Sequence, residues 1–563
     1  MHELLEKLID RLPLDFRVLY RQFLLRVIDL EALSIQADVT AYIGQFAGVL
    51  IMLSLVHATV TYLGYTFITE PAARFAFLLH MQHYLIATMM LVVGMFSVLS
   101  WDATFPDKRD VMVLSPLPVA PHTILIAKVS ANAAVLGLAI LTLNVASGVV
   151  LPLILGAQPG PALGFFQSLP AWWFTIVAAS MFLYGSVLTI QGFTALLLPR
   201  RMFLRLSAIL QLAAFGLFLC VYFVQPSITT PAAMAASENQ WVLACSPSYW
   251  FWAMFNQLNG SLPKQFAWVA LRAWIGLAVA IAGAASSLLL CYIHTMKKTV
   301  EEPDLVPGGG YQWMPRFGNT LQTAIAHFSI RSLTRSRQHR VAFAFYLAFV
   351  LGIALSLFRE EVAAGAPRPL SMDFLIPTFL LMFFAVVGLR NVFSLPISLT
   401  ANWVLRTTQI RPSQDYVAAT RRSLQLLAVV PVWLLSAALA CGFRPASQGA
   451  AHLAVLALLG IILVELCLVG FYKVPFTCSY LPGKTNIQFA FWGFAIVLLA
   501  VIVPCAEFEM RALHQADRYG FMISLLVGLA VALFAYNDHR AKSAVIYFEE
   551  TPDAVITTLG LSA

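Results

Sequence analysis

Gly483, Lys484 and Thr485 are the first residues to suggest chemistry, because Gly-Lys-Thr closes the loop that cradles nucleotide phosphates. That loop also needs a glycine where this chain has Cys478, with a strand before it and a helix after it in a soluble sheet. Neither requirement is met, so ATP hydrolysis, if coupled to this chain, belongs to another polypeptide. Gly308, Gly309 and Gly310 read as a hinge, since a phosphate cradle would set its glycines against a helix start. His80 and His83 share a helical face as a metal pair would, yet two ligands without a third make a weak site. Packed or hydrated imidazoles are the preferred reading, and no metal site is expected. No Ser/His/Asp arrangement stands out, and Asp373, Glu507 and Glu509 have no evident partners for acid-base work.

Glu465 is the one deep carboxyl, about midway along an apolar block. An ionised group there costs roughly 2.5–3.5 kcal/mol on insertion scales, so it needs a reason. It is either a polar point on a transport route or a protonated, structurally paired acid. The structural reading carries more weight, and on it Gln should serve in its place, keeping size and hydrogen bonding.

The elements around these residues follow from composition. Of 563 residues, 60% are hydrophobic and 11% charged, far from the soluble norm of about a quarter charged. Mean hydropathy is +0.80. The charges lie between apolar blocks long enough to cross a bilayer, which takes about 20 residues. Continuous blocks exclude the weak alternation of a β-barrel. The prediction is an all-α polytopic membrane protein of twelve spans, near 43–66, 76–100, 124–154, 171–198, 206–226, 265–294, 341–358, 372–393, 423–442, 452–472, 487–508 and 519–537. The stretches left over are too short for a catalytic domain. Acidic residues at Glu3, Glu6 and Asp10 argue against a cleaved signal peptide.

Orientation follows from the basic residues. Of 35 Lys and Arg, 26 fall on the side that holds both termini and 7 on the other, so both termini are expected in the cytoplasm. The net charge of +8 expresses this bias toward the anionic leaflet of the bilayer, and no nucleic-acid partner is implied. Lys128 and Arg272 sit inside span ends, where long side chains snorkel. The seven cysteines show no metal spacing; Cys245, Cys441 and Cys505 fall near the expected outer face.

The chain divides into two halves that open alike. Residues 1–42 form a cytoplasmic region with an amphipathic helix, 43–294 the first six spans, 295–340 a cytoplasmic linker with a second such helix, 341–537 the second six spans and 538–563 a tail. In the first helix, over 14–29, Phe16, Tyr20 and Phe23 follow helical spacing while Arg17, Arg21 and Arg26 take other faces, as in a helix lying in the membrane interface. The second, HFSIRSLTRSRQHR at 327–340, repeats the pattern more weakly. After the second span of each half comes a loop with prolines, an aromatic and charges of both signs. The first holds Asp102, Phe105, Pro106, Asp107, Lys108, Arg109 and Asp110; the other holds Trp403, Arg406, Arg411 and Asp415.

With DATFPDKRDVMVLSPLPV at 102–119, SPSYWFWAMFNQLNG at 246–260 and VPFTCSYLPGK at 474–484, these features resemble the permease subunits of type-2 ABC exporters, in their twelve-span bacterial form. The resemblance implies that the loops at 102–121 and 394–420 are coupling elements docking on separate cytosolic ABC ATPases, two per complex. ATP and Mg would then be bound by those partners, with no cofactor on this chain. It also implies a multi-pass protein of the bacterial inner membrane, without catalytic residues, exporting an amphipathic or lipid-like substrate. Twelve spans equal two six-span subunits, so one copy per complex is expected. Short helices at the outer face would carry Trp250, Phe251, Trp252 and Phe255, expected at the outer membrane surface as interfacial aromatics. The last outer loop, 509–518, is too short to repeat that segment.

Two other classes compete. A secondary transporter of six-plus-six layout usually needs several buried carboxylates for proton or sodium coupling, and the sequence offers one. An intramembrane enzyme would need paired His, Asp or Glu near an interface.

Overall fold

The computed structural model describes residues 13–28, 39–100, 114, 116–157, 164–224, 240–301, 316, 319–363, 370–395, 413–443, 445–471, 474–477 and 498–543. These are helical, with no strand among them. Ten described helices are long and apolar enough to cross a bilayer, which makes the chain a multi-pass, all-α membrane protein. The expected span at 206–226 coincides with a helix whose apolar stretch, Ile209–Phe223, is shorter, and most of the expected span at 487–508 lies outside the described residues. The chain forms two compact units, Met1–Glu31 with Ala37–Gly308 and Thr485–Gln488, and Ala32–Gln36 with Gly309–Lys484 and Phe489–Ala563.

The first unit contains α1 (Leu14–Ile28), α2 (Val39–Phe67), α3 (Pro71–Leu99), α4 (Pro121–Asn144), α5 (Ser147–Gly156), α6 (Phe165–Leu197), α7 (Arg200–Val224), α8 (Gln240–Cys245), α9 (Pro247–Leu258) and α10 (Ala267–Glu301). Pro71, Pro121 and Pro247 start their helices, where a missing N–H costs nothing. The apolar block expected as one span at 124–154 is two helices. Ser54 of α2 accepts hydrogen bonds from the Ala146 and Ser147 amides at 3.1 and 3.2 Å, capping α5 from outside. Hydropathy misses that break because both helices are strongly apolar. Helices α6 and α10 approach closely: a Cβ on Gly185 would lie 3.0 Å from the Ala280 carbonyl oxygen, and Ser287 donates to the Leu188 carbonyl at 3.1 Å. Small residues at a membrane helix crossing allow such contact.

Helix α1 forms where the amphipathic pattern places it, but its apolar face is used within the protein. Leu19 and Phe23 pack on Ile124, Ala127 and Ala131 of α4, and Phe16 stacks on Tyr20 at 6.0 Å. Lys128 is buried with its Nζ 5.2 Å from the Phe23 ring centre, so the expectation that it snorkels is corrected. A cation over an aromatic face is held without reaching water. Arg17 is half-buried and Arg21 exposed; the Arg26 side chain lies outside the described residues.

The second unit contains α11 (Thr320–Arg335), α12 (Arg337–Ala363), α13 (Met372–Phe393), α14 (Ser413–Leu424), α15 (Val430–Phe443), α16 (Ala446–Leu468), α17 (Val503–Leu513) and α18 (Ala516–Ser543). A π-turn, Gln425–Val429, joins α14 to α15 in one continuous rod. The helix expected at 327–340 begins earlier and ends earlier, since Asn319 caps it by accepting from the Gln322 amide at 2.8 Å and the chain breaks at Ser336. Residues 337–340 belong to α12 instead. The core gathers on α13, the most buried of the ten spanning helices.

Candidate functional site

At twelve residues, α9 is about 18 Å long, too short to cross a bilayer. Its aromatic side chains therefore have to be covered by protein or left at a surface. Phe251 and Phe255 are wholly buried, Trp252 is 4% exposed and Trp250 is half-buried. Phe255 meets Trp172 edge-on at 5.1 Å, Phe251 meets Phe182 at 5.4 Å, and the Trp250 indole donates to the Ala244 carbonyl at 3.1 Å. The expectation that Phe251, Trp252 and Phe255 lie at a membrane surface is corrected: they form the core of the first unit. Aromatic rings bring the largest burial per residue, and a short helix stabilises itself by spending them on its neighbours.

Beside this core lies a cavity of about 530 Å³, bounded by α3, α6, α7, α8 and α9. Its walls are apolar, with Met90, Leu183, Leu217, Phe218 and Val221, while Ser246, Ser248, Tyr222 and Tyr249 bring polar atoms. Ser248 Oγ lies 3.0 Å from His83 Nε2 and 2.9 Å from Ser246 Oγ. Tyr222 donates to the Tyr84 hydroxyl at 2.9 Å, and its oxygen lies 3.1 Å from Thr88 Oγ1. Burial pushes the Tyr249 phenol above its ordinary pKa, so it stays a neutral hydroxyl. The His83 ring stacks on Tyr249 at 4.0 Å, whereas His80 stacks on Tyr84 at 6.4 Å. The two imidazoles thus turn to different partners, as packed histidines do.

Neither sequence nor fold matches any family model, curated protein or solved structure in the comparisons made. What the chain does has to be argued from its own geometry.

In the second unit Glu465 is fully buried, as its depth in the sequence implies, but its partner is a guanidinium. Arg421 of α14 donates from Nε to Oε1 at 2.5 Å and from Nη2 to Oε2 at 3.2 Å. Asn537 of α18 donates to Oε2 at 2.9 Å and to the Glu465 carbonyl at 2.8 Å. The guanidinium also lies over the Phe534 ring at 4.3 Å. The acid is structurally paired, at ion-pair distance from a guanidinium, and a Gln there would leave the Arg421 charge unmatched. That geometry argues for a loss on Glu465→Gln instead of the equal service expected from the sequence.

A second buried carboxylate was not visible as such in the sequence. Glu509 Oε1 lies 2.9 Å from His452 Nδ1, and His452 Nε2 lies 3.0 Å from Thr378 Oγ1, all three side chains being buried. Glu509 therefore has a partner, and Glu507 has one too, in Arg511. The order hydroxyl, imidazole, carboxylate is that of an acyl-transfer triad. The Thr378 hydroxyl, however, also donates to the Leu375 carbonyl within its own helix, at 2.8 Å. Glu509 Oε2 is buried without a partner among the described residues.

The coupling residues Asp102, Phe105, Pro106, Asp107, Lys108, Arg109, Asp110, Trp403, Arg406 and Arg411 lie outside the described residues. Asp415 is described, and it works inside the unit: it accepts from Asn319 and Gln322 at 2.9 and 3.0 Å, tying α14 to α11. Where α13 ends, before the second loop, Phe476 adopts a left-handed conformation with φ +65°. Its amide donates to the Phe393 carbonyl at 2.7 Å and its ring packs on Phe393 and His339 at 5.1 and 4.9 Å. His339 in turn meets the Leu395 carbonyl at 3.0 Å. A non-glycine residue in that region costs free energy and persists where its surroundings over-determine it.

Proposed function

We propose that this chain is the membrane permease of an ATP-driven exporter, moving an amphipathic or lipid-like substrate with energy from separate cytosolic ATPase subunits. The observation that carries the substrate class is the apolar cavity of the first unit, whose lining among the described residues includes no Lys, Arg, Asp or Glu. The sequence resemblance to type-2 ABC permeases carries the energy source. Under this reading the loops at 102–121 and 394–420 are the ATPase contacts, with Phe105 and Trp403 as aromatic anchors and the flanking charges setting orientation. The ion pair and the Phe476 cage would hold the base of the second loop for that contact.

A second reading, proton-coupled secondary transport, gains from the structure, because two fully buried carboxylates are present among the described residues where the sequence offered one. One experiment separates the two. The chain is expressed together with any ABC ATPase encoded by a neighbouring gene, purified, and assayed with Phe105→Ala or with Lys108→Glu and Arg109→Glu together. Export predicts that wild type retains the ATPase and that the variants lose it, with insertion unchanged. Transport by the chain alone in proteoliposomes, driven by a proton gradient and indifferent to these variants, would establish the second reading instead.

A further inference from the structure

The cavity in the first unit has a defined chemistry at each part of its wall. Leu217 and Val221 of α7 line it yet are 61% and 49% exposed, and Trp241 of α8 is 67% exposed. Among the described residues the wall is therefore open along an apolar helix face, of the kind that acyl chains cover in a membrane protein. The polar end is built from deeply buried groups: Ser248 is 6%, Tyr249 1% and His83 2% exposed. Ser246 is the partly exposed member of that hydroxyl pair. The nearest described cation on α10, Arg272, donates to the Ala244 carbonyl at 2.5 Å and covers Trp268, and it does not line the cavity. A charged head group brought here would lose its water and meet no opposite charge among the described lining residues, a strongly unfavourable exchange. A hydroxyl or amide head would trade water for Ser246 and Ser248 at little cost. The volume, about 530 Å³, lies within the range of about 300–1,000 Å³ that holds one small-molecule ligand.

We infer that this cavity binds an amphiphile with an uncharged, hydrogen-bonding head group, admitted sideways from the bilayer past α7, its head at Ser246 and Ser248 and its apolar part against Leu217, Phe218 and Val221. This rests on the lipid-like substrate reading but not on ATP as the energy source. It adds head-group charge as the basis of selection.

The test uses the full-length chain purified in detergent without ATPase, and a photoreactive monoacylglycerol as probe. Unlabelled monoacylglycerol, a fatty acid and an alkyltrimethylammonium of the same chain length compete. The neutral competitor should be at least about tenfold more effective than either ion, given the cost of stripping water from a charge. Crosslinks should map to the peptides holding 217–222 and 245–249. Leu217→Trp and Val221→Trp, at exposed positions that tolerate bulk, should each cut labelling; Ser248→Ala should weaken neutral competition about three- to tenfold. Equal competition by the ions, or labelling spread over other helices and unchanged in both tryptophan variants, would overturn the inference. Neutral binding by a chain that never retains an ATPase would leave it standing and remove the exporter reading. An ATPase-bound chain with no neutral preference would do the reverse.

Discussion

The two units bury polar side chains by different means. Around its cavity the first unit uses the hydroxyls of Ser246, Ser248, Tyr222 and Tyr84 with the imidazole of His83, and leaves space among them. The second unit buries Arg421 with Glu465, and His452 with Glu509, at ion-pair distances in a core packed on α13. Hydroxyl networks between membrane helices are weak, about 0.6 kcal/mol per bond on average, so their helices can shift when a ligand enters. A buried ion pair tolerates no such loosening, because separating its partners strands two charges away from water. On the function proposed above, the first unit would accommodate a guest while the second holds its shape.

The largest expected effect is at the Arg421–Glu465 pair. Arg421→Met or Glu465→Gln alone should destabilise by about 3–5 kcal/mol, since either leaves one buried charge unmatched. The double variant Arg421→Met with Glu465→Met should recover most of the loss. Heating the detergent-solubilised chain and following its monodisperse fraction measures this; single variants that melt like wild type would break the comparison.

Smaller effects are expected at the second pair. His452→Ala leaves the Glu509 carboxyl and the Thr378 hydroxyl without their buried partner and should cost about 1–3 kcal/mol. Glu509→Gln keeps a donor for His452 Nδ1 and should cost less. If Glu509→Gln instead melts normally but abolishes proton-driven transport, the pair is a proton site, and the secondary-transport reading gains accordingly.

The smallest effect is expected in the first unit. Tyr222→Phe removes the bonds to Tyr84 and Thr88 and should shift stability by about 1.2 kcal/mol, two bonds at the membrane average of about 0.6 kcal/mol each. A loss as large as that of the Arg421 variants would mean that both units rely on rigid polar cores.

Hydropathy by itself determined that this is a helical, multi-pass membrane protein and located most spanning helices within a few residues, because a backbone in lipid must satisfy its hydrogen bonds internally and long apolar blocks announce where it does so. It also determined that Glu465 is buried and in need of a partner, since depth alone sets that cost. Amphipathic spacing found α1, although not that its apolar face packs on α4. Only the tertiary structure decided the partners. Arg421 is 44 residues from Glu465 and reads in sequence as one more basic residue at a loop end; Glu509 is 57 residues from His452 and reads as unpaired. Whether such residues meet depends on the rotation and depth of separate helices, which apolar composition leaves open. The same holds for the aromatic residues of α9 and for the cavity beside them: a sequence fixes how much apolar surface must be covered, but which surface covers it, and where space is left, is settled by how the helices pack.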